Sequence, residues 1–182
     1  MYELLILGAL LVQDRTGYKL REMLGSMLEP QRKISNGVIY PVLHKMAVAG
    51  YITLEETAES GRKQKLAHIL PAGEQRFNEL MTAPVPLDAK REETYRFKFH
   101  NLYRVKPVQQ QAILHAYRVA CQQDLESSRA LDRHLQRLSE SADRPDTDWI
   151  RRTIRLQMAV SQSKIDWADQ QLAAINQDKE VN

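Results

Sequence analysis

SNGVIYPVLHKMAVAGYI, residues 35–52, combines a helix with two unlike faces and the start of a strand. Ser35 suits an N-cap, because its hydroxyl can accept a bond from one of the first free helical N–H groups. Ile39, Val42, Leu43 and Met46 recur at helical spacing and predict one anchored face. Gly37, Tyr40, Pro41, His44 and Lys45 fall on the other, a mix of small, aromatic and basic groups. Pro41 lies inside the helix, where its ring crowds residue 37; glycine there gives it room. Gly50 can end the helix in the left-handed conformation, and Tyr51-Ile52-Thr53-Leu54 then reads as a strand. An anchored face, a readable face and a strand behind them suit the recognition helix of a winged helix-turn-helix.

The flanking chain supplies the rest of such a module. Residues 2–12 are helical in pattern but apolar on nearly every side, as in a buried helix. Asp14 to Gly17 make a turn with Thr16 as an N-cap, and Leu20, Met23, Leu24, Met27 and Leu28 follow a helical stripe. Past Leu54, the acidic run Glu55–Glu59 reads as a polar loop leading to the Ser60-Gly61 turn. Arg62 to Leu70 then alternates and returns as a second strand, so the two make a hairpin with a basic tip. Pro71 opens a short helix through Phe77, Leu80 and Met81. The predicted fold is therefore mainly α with a small β-hairpin wing: a winged helix-turn-helix domain at 1–82, a proline-bearing connector at 83–88, and a long-helix domain at 89–182. Glycine is absent from Glu74 onward, and three helices are predicted near 89–104, 107–140 and 147–177. The last carries Ile154, Met158, Ser161, Ile165, Ala168, Leu172 and Ile175 in a 4-3 repeat, a seam that keeps facing a partner helix. A subunit contact is the expected use of that seam, with residues 107–140 of the same chain as the competing partner.

Composition narrows the function classes. With 182 residues, 43% hydrophobic and 27% charged, the chain can bury a core and stay soluble. Leu4 to Val12 is too short to span a bilayer and lacks the flanks of a signal peptide, so no membrane partner is expected and a cytoplasmic location is. Cys121 is the single cysteine, which excludes a disulfide framework, and His100, His115 and His134 have no metal-ligand spacing. Neither a metal nor another cofactor is expected. A phosphate loop, a nucleophile elbow and paired catalytic acids are all missing, so catalytic residues are not expected either. Tyr95, Phe97, Phe99 and Tyr103 read first as packing between helices and second as the lining of a pocket for an aromatic effector. Net charge is +3, and residues 1–82 hold ten Lys and Arg against nine Asp and Glu. Phosphate attraction therefore has to come from local clusters.

The first module resembles the PadR family of bacterial winged-helix transcription regulators. The resemblance rests on LLILGALL (4–11), Thr16-Gly17-Tyr18-Lys19-Leu20, Ser35-x-x-x-Ile39-Tyr40-Pro41-x-Leu43, Gly50-Tyr51-Ile52 and Gly61-Arg62-Lys63, in the family's order over residues 2–81. Pro71 departs from it, standing where the family usually has a capping Thr or Ser. The resemblance implies a homodimer on a double-stranded inverted-repeat operator, usually as a repressor, with the third helix in the major groove. On this chain it implies that Ser35, Asn36, Gly37, Tyr40 and His44 face the groove. Arg32, Lys33, Lys45, Arg62, Lys63 and Lys65 become the phosphate contacts. Release by a small-molecule effector is also implied, an aromatic or phenolic one included. The alternative is a helical protein–protein adaptor on a winged-helix core that no longer binds DNA, in keeping with the near-neutral first module.

Overall fold

A computed structural model describes residues 2–27, 35–59, 62–141 and 145–180. Helix α1 (Tyr2–Leu10) is buried from Leu4 to Leu10, which explains its lack of a polar face. Thr16 caps α2 (Gly17–Met27) by accepting the Lys19 N–H at 3.3 Å, and Leu20 and Leu24 face fully inward. Helix α3 (Asn36–Val48) follows. Ile39, Leu43 and Met46 are buried while Val42 is half-buried, so its aliphatic side grips the core. Gly50, at φ +73°, supplies the left-handed stop. Ser35 holds the N-cap position in extended backbone, but its hydroxyl makes no capping bond.

Strands β2 (Ile52–Glu59) and β3 (Arg62–Ile69) form the antiparallel wing. The acidic run expected to be loop is strand through Glu59, because the returning strand answers it in register, with Glu56 opposite Lys65. Opposite charges across an antiparallel ladder stabilise a strand that propensity alone disfavours. Strand β1 (Arg15–Thr16) adds a third member, in the order β1-β3-β2. Two residues are too few for alternation to reveal. Helix α4 (Pro71–Thr82) starts from Leu70, whose carbonyl accepts the Gly73 and Glu74 N–H groups. Proline at the first helical position loses no bond there.

Helix α5 (Arg91–His100) and a 3-10 turn at Leu102–Arg104 complete the first compact unit, Met1–Val105; Lys106–Asn182 forms the second. Residues 89–104 were expected with the long helices, and side-chain chemistry explains the later boundary. Phe97 is buried with its ring 6.3 Å from that of Tyr2. Lys98, 3% exposed, donates from Nζ to the carbonyls of Met81 and Ala83 at the end of α4.

Burial lowers the Lys98 pKa from 10.5 to about 8, since two uncharged carbonyls do not replace lost hydration. The unfolded chain holds that proton up to the ordinary lysine value, whereas the folded chain releases it near 8. Stability should therefore rise with pH across that window, by at most ~1.4 kcal/mol per unit. Urea midpoints measured from pH 7.5 to 10 should climb in the native chain relative to Lys98→Met, which loses this term; parallel curves would refute it.

The second unit is an antiparallel pair, α6 (Pro107–Ser141) and α7 (Pro145–Glu180). The seam on α7 is occupied within the chain. Ile154, Ser161, Ile165, Ala168 and Leu172 are buried, Met158 and Ile175 half-buried, and Ile113, Leu114, Tyr117, Cys121 and Leu125 are buried on α6. Tyr117 meets Trp167 edge-on at 6.3 Å, and Arg118–Asp169 and Arg151–Asp132 bridge the pair at 2.6 and 2.9 Å. A 4-3 repeat specifies a partner helix without saying whose, and here the neighbouring helix of the same chain fills that role. This corrects the expectation that the seam faces a second subunit.

Candidate nucleic-acid interface

The side of α3 turned from the core carries Ser35, Gly37, Tyr40, Pro41, His44 and Lys45, all exposed. Their spacing opposite Ile39, Leu43 and Met46 dictates this, because core burial of one helical stripe leaves the other in water. Asn36 opens the helix. Tyr40 is 45% exposed. Its ring lies against Gly17 at the start of α2, where an added Cβ would come within 2.9 Å of Tyr40 Cε1. One side of the ring is thus fixed by the preceding helix, and nearly half its surface stays available. Val38 is also exposed on this helix, an apolar group of the kind that can meet a thymine methyl.

On the wing, Lys65 is exposed, and Arg62 and Lys63 open β3. Register separates the three: Lys65 and Arg62 stand opposite Glu56 and Glu59, and Lys63 stands opposite Ala58. The cross-strand Glu56 reduces the field that Lys65 projects. Arg32 and Lys33 lie outside the described residues. At the base of the wing, His68 Nδ1 and Asp14 Oδ1 are 2.8 Å apart, joining β3 to the turn before α2.

On α2, Tyr18 and Arg21 form a pair that the sequence did not single out for function. Tyr18 is half exposed with the Arg21 guanidinium 4.9 Å from its ring centroid. A hydrogen bond with Glu22 raises the Tyr18 hydroxyl pKa above its ordinary value. The signal was the i, i+3 spacing of Tyr18 and Arg21 on the polar face of α2.

The family model described as "Transcriptional regulator PadR-like family" matches residues 6–79, the span from α1 through α4. This stretch is a PadR-like domain. No curated protein matches the chain. Three solved structures illustrate the likeness. Bacillus subtilis PadR in complex with operator DNA is 18% identical, covers 94% of this chain and 96% of its own, with a TM-score of 0.43. The same protein with p-coumaric acid is 18% identical, with coverages of 96% and 94% and a TM-score of 0.40. The Vibrio cholerae virulence activator AphA is 23% identical, with coverages of 97% and 98% and a TM-score of 0.39. The PadR-like domain therefore includes every residue implied for DNA contact, from Arg32 to Lys65. The long helices lie beyond the matched span. Among the described residues no helix is long and apolar enough to cross a membrane.

Proposed function

We propose that the chain is a DNA-binding transcription regulator that inserts the Tyr40 face of α3 into the major groove and lays its wing along the backbone. The observation that carries this is the two-faced α3: an aliphatic side sunk in the core and, opposite it, an exposed side of Ser35, Gly37, Tyr40, His44 and Lys45. In this reading Ser35, Asn36, Tyr40 and His44 reach base edges, and Gly37 lets the helix approach closely. Arg32, Lys33, Lys45, Arg62, Lys63 and Lys65 neutralise phosphates. The ring of Tyr40 contributes without a large entropic cost, because Gly17 already limits its motion. Repression through an inverted repeat follows if two copies act together, each engaging a half-site about one DNA turn away. An effector, aromatic among the options, would then release the operator by changing how the two reading heads are presented together.

Pairing would use the outer surface of the α6–α7 hairpin, since its seam is already occupied. Leu156 and Val160 are exposed there, beside a groove of about 490 Å³ that also includes Ser127 and Ser128. Apolar groups lining a groove support a subunit contact. Removing residues 147–182 is a poor test, because it would strip the partner of α6. Sedimentation of the full chain against Leu156→Glu/Val160→Glu is cleaner. The native chain is expected as a dimer, and the variant as a folded monomer binding a palindrome at least tenfold more weakly. A native monomer that bound the palindrome just as tightly would contradict the pairing.

A further inference from the structure

We propose that Gly37, Val38 and Pro41 form an apolar shelf on α3 that seats the 5-methyl group of a thymine in the bound DNA. Val38 is then a specificity-determining residue. The shelf lies on the face turned toward the major groove in the regulator reading above, and it rests on that reading. At about 100° per residue, Gly37 and Pro41 hold the middle of the exposed half of the helix, with Tyr40 on one flank and Val38 on the other. Val38 is 38% exposed, and Gly37 and Pro41 are exposed with it. None of the three side chains can give or accept a hydrogen bond. The Val38 N–H is already spent on the Ser35 carbonyl at 3.1 Å. Around this patch stand Ser35, Tyr40, His44 and Lys45, exposed groups that do have hydrogen-bonding capacity.

Gly37 points to a body outside the protein. Its φ is not positive; among the described glycines Gly50 alone has that conformation. A Cβ at Gly37 would find the Ser35 hydroxyl oxygen at 3.6 Å and no other described side-chain atom within 4 Å. Neither backbone strain nor internal packing therefore excludes a larger residue, and glycine is a poor helix former. Bare backbone in the middle of an exposed helix face suits close approach by a ligand.

Elimination identifies the group that fits. Base edges in the major groove present donors and acceptors, and the thymine methyl is the one apolar group among them. Pressed against donors and acceptors, the shelf would strip their water and return no bond, which is costly. Against the methyl it takes apolar surface out of water on both sides. Valine is suited to this, because a β-branched side chain holds nearly one rotamer in a helix and has little freedom left to lose.

The test uses the full chain and a duplex that it selects from a random pool, with each thymine changed singly to uracil. Uracil keeps the base pairing and every groove donor and acceptor, and deletes only the methyl. At one thymine, or at its symmetry-related copy in a palindromic site, the native chain is expected to lose about fourfold in affinity. Val38→Ala should bind the thymine and uracil duplexes with nearly equal affinity. Gly37→Ala, which places a methyl on the shelf itself, should keep or raise its melting midpoint and bind the thymine duplex roughly tenfold more weakly. Equal affinity of the native chain for every uracil duplex, an undiminished thymine preference in Val38→Ala, or full affinity in Gly37→Ala would overturn the shelf. Each of these results, obtained with a native chain that binds its duplex, would leave the regulator reading standing. A chain that selects no duplex would overturn both.

Discussion

Alanine at Tyr40, Arg62 and Lys63 together is expected to lower affinity for the operator ~100- to 5,000-fold while the protein stays folded. The magnitude follows from the roles assigned. A side chain reading a base edge is worth ~1–3 kcal/mol, and each of two phosphate contacts adds about 1 kcal/mol, for a sum of ~3–5 kcal/mol. Each lost phosphate contact should also flatten the salt dependence by roughly one unit of slope. Stability changes far less, because Tyr40 is 45% exposed and its packing is confined to one side of the ring. Fluorescence anisotropy on the DNA upstream of the protein's own gene, at two salt concentrations, measures both effects. If the chain is an adaptor, the triple variant retains its protein partner and the native chain gives no steep salt slope. Glu56 opposite Lys65 makes this contest real, since it lowers the attraction that Lys65 exerts on phosphate.

The second large effect is structural. Gly73→Ala should destabilise the first unit by ~3 kcal/mol and lower its melting temperature by roughly 15 °C. Gly73 is buried at the third position of α4, and a Cβ there would sit 2.2 Å from the Tyr51 carbonyl oxygen and 2.9 Å from Ile69 Cγ1. That carbonyl accepts the Leu70 N–H at 2.9 Å, so the clash also strains the bond that sets α4 against the wing. Alanine is the better helix former by about 1 kcal/mol. This gain is smaller than the cost of forcing backbone apart in a packed core together with a hydrogen bond worth about 1 kcal/mol. Thermal unfolding followed by circular dichroism tests the balance. An unchanged or raised midpoint would mean that the backbone can yield without loss.

Periodicity carried most of the architecture into the sequence. Ile39, Leu43 and Met46 announce α3, Gly50 its end, and Pro107 the start of α6, because such signals are local; α7 begins at Pro145, two residues before the expected start. What depends on distant partners was hidden. The strand character of Glu55–Glu59 needs β3 opposite it, and β1 is two residues long. The α7 seam encodes only the need for a neighbour, so its choice of α6 over another chain was illegible. Lys98 reads as an ordinary surface base until its contact with the end of α4 buries it, and that contact moves the first unit's boundary to Val105. The exposed face of α3 proposed to meet DNA was legible as a pattern of spacing. Tyr18 and Arg21 were less so, since an aromatic and a base on a polar helix face have many uses.

The central claim is that α3 meets bases through the side bearing Tyr40 and His44. A photo-cross-linking residue at position 44 of the full chain, irradiated on operator DNA, tests it most directly. The account predicts cross-links to bases within each half-site, and none when the same group stands at position 123 on α6. Efficient cross-linking from position 123 with none from 44 would contradict it.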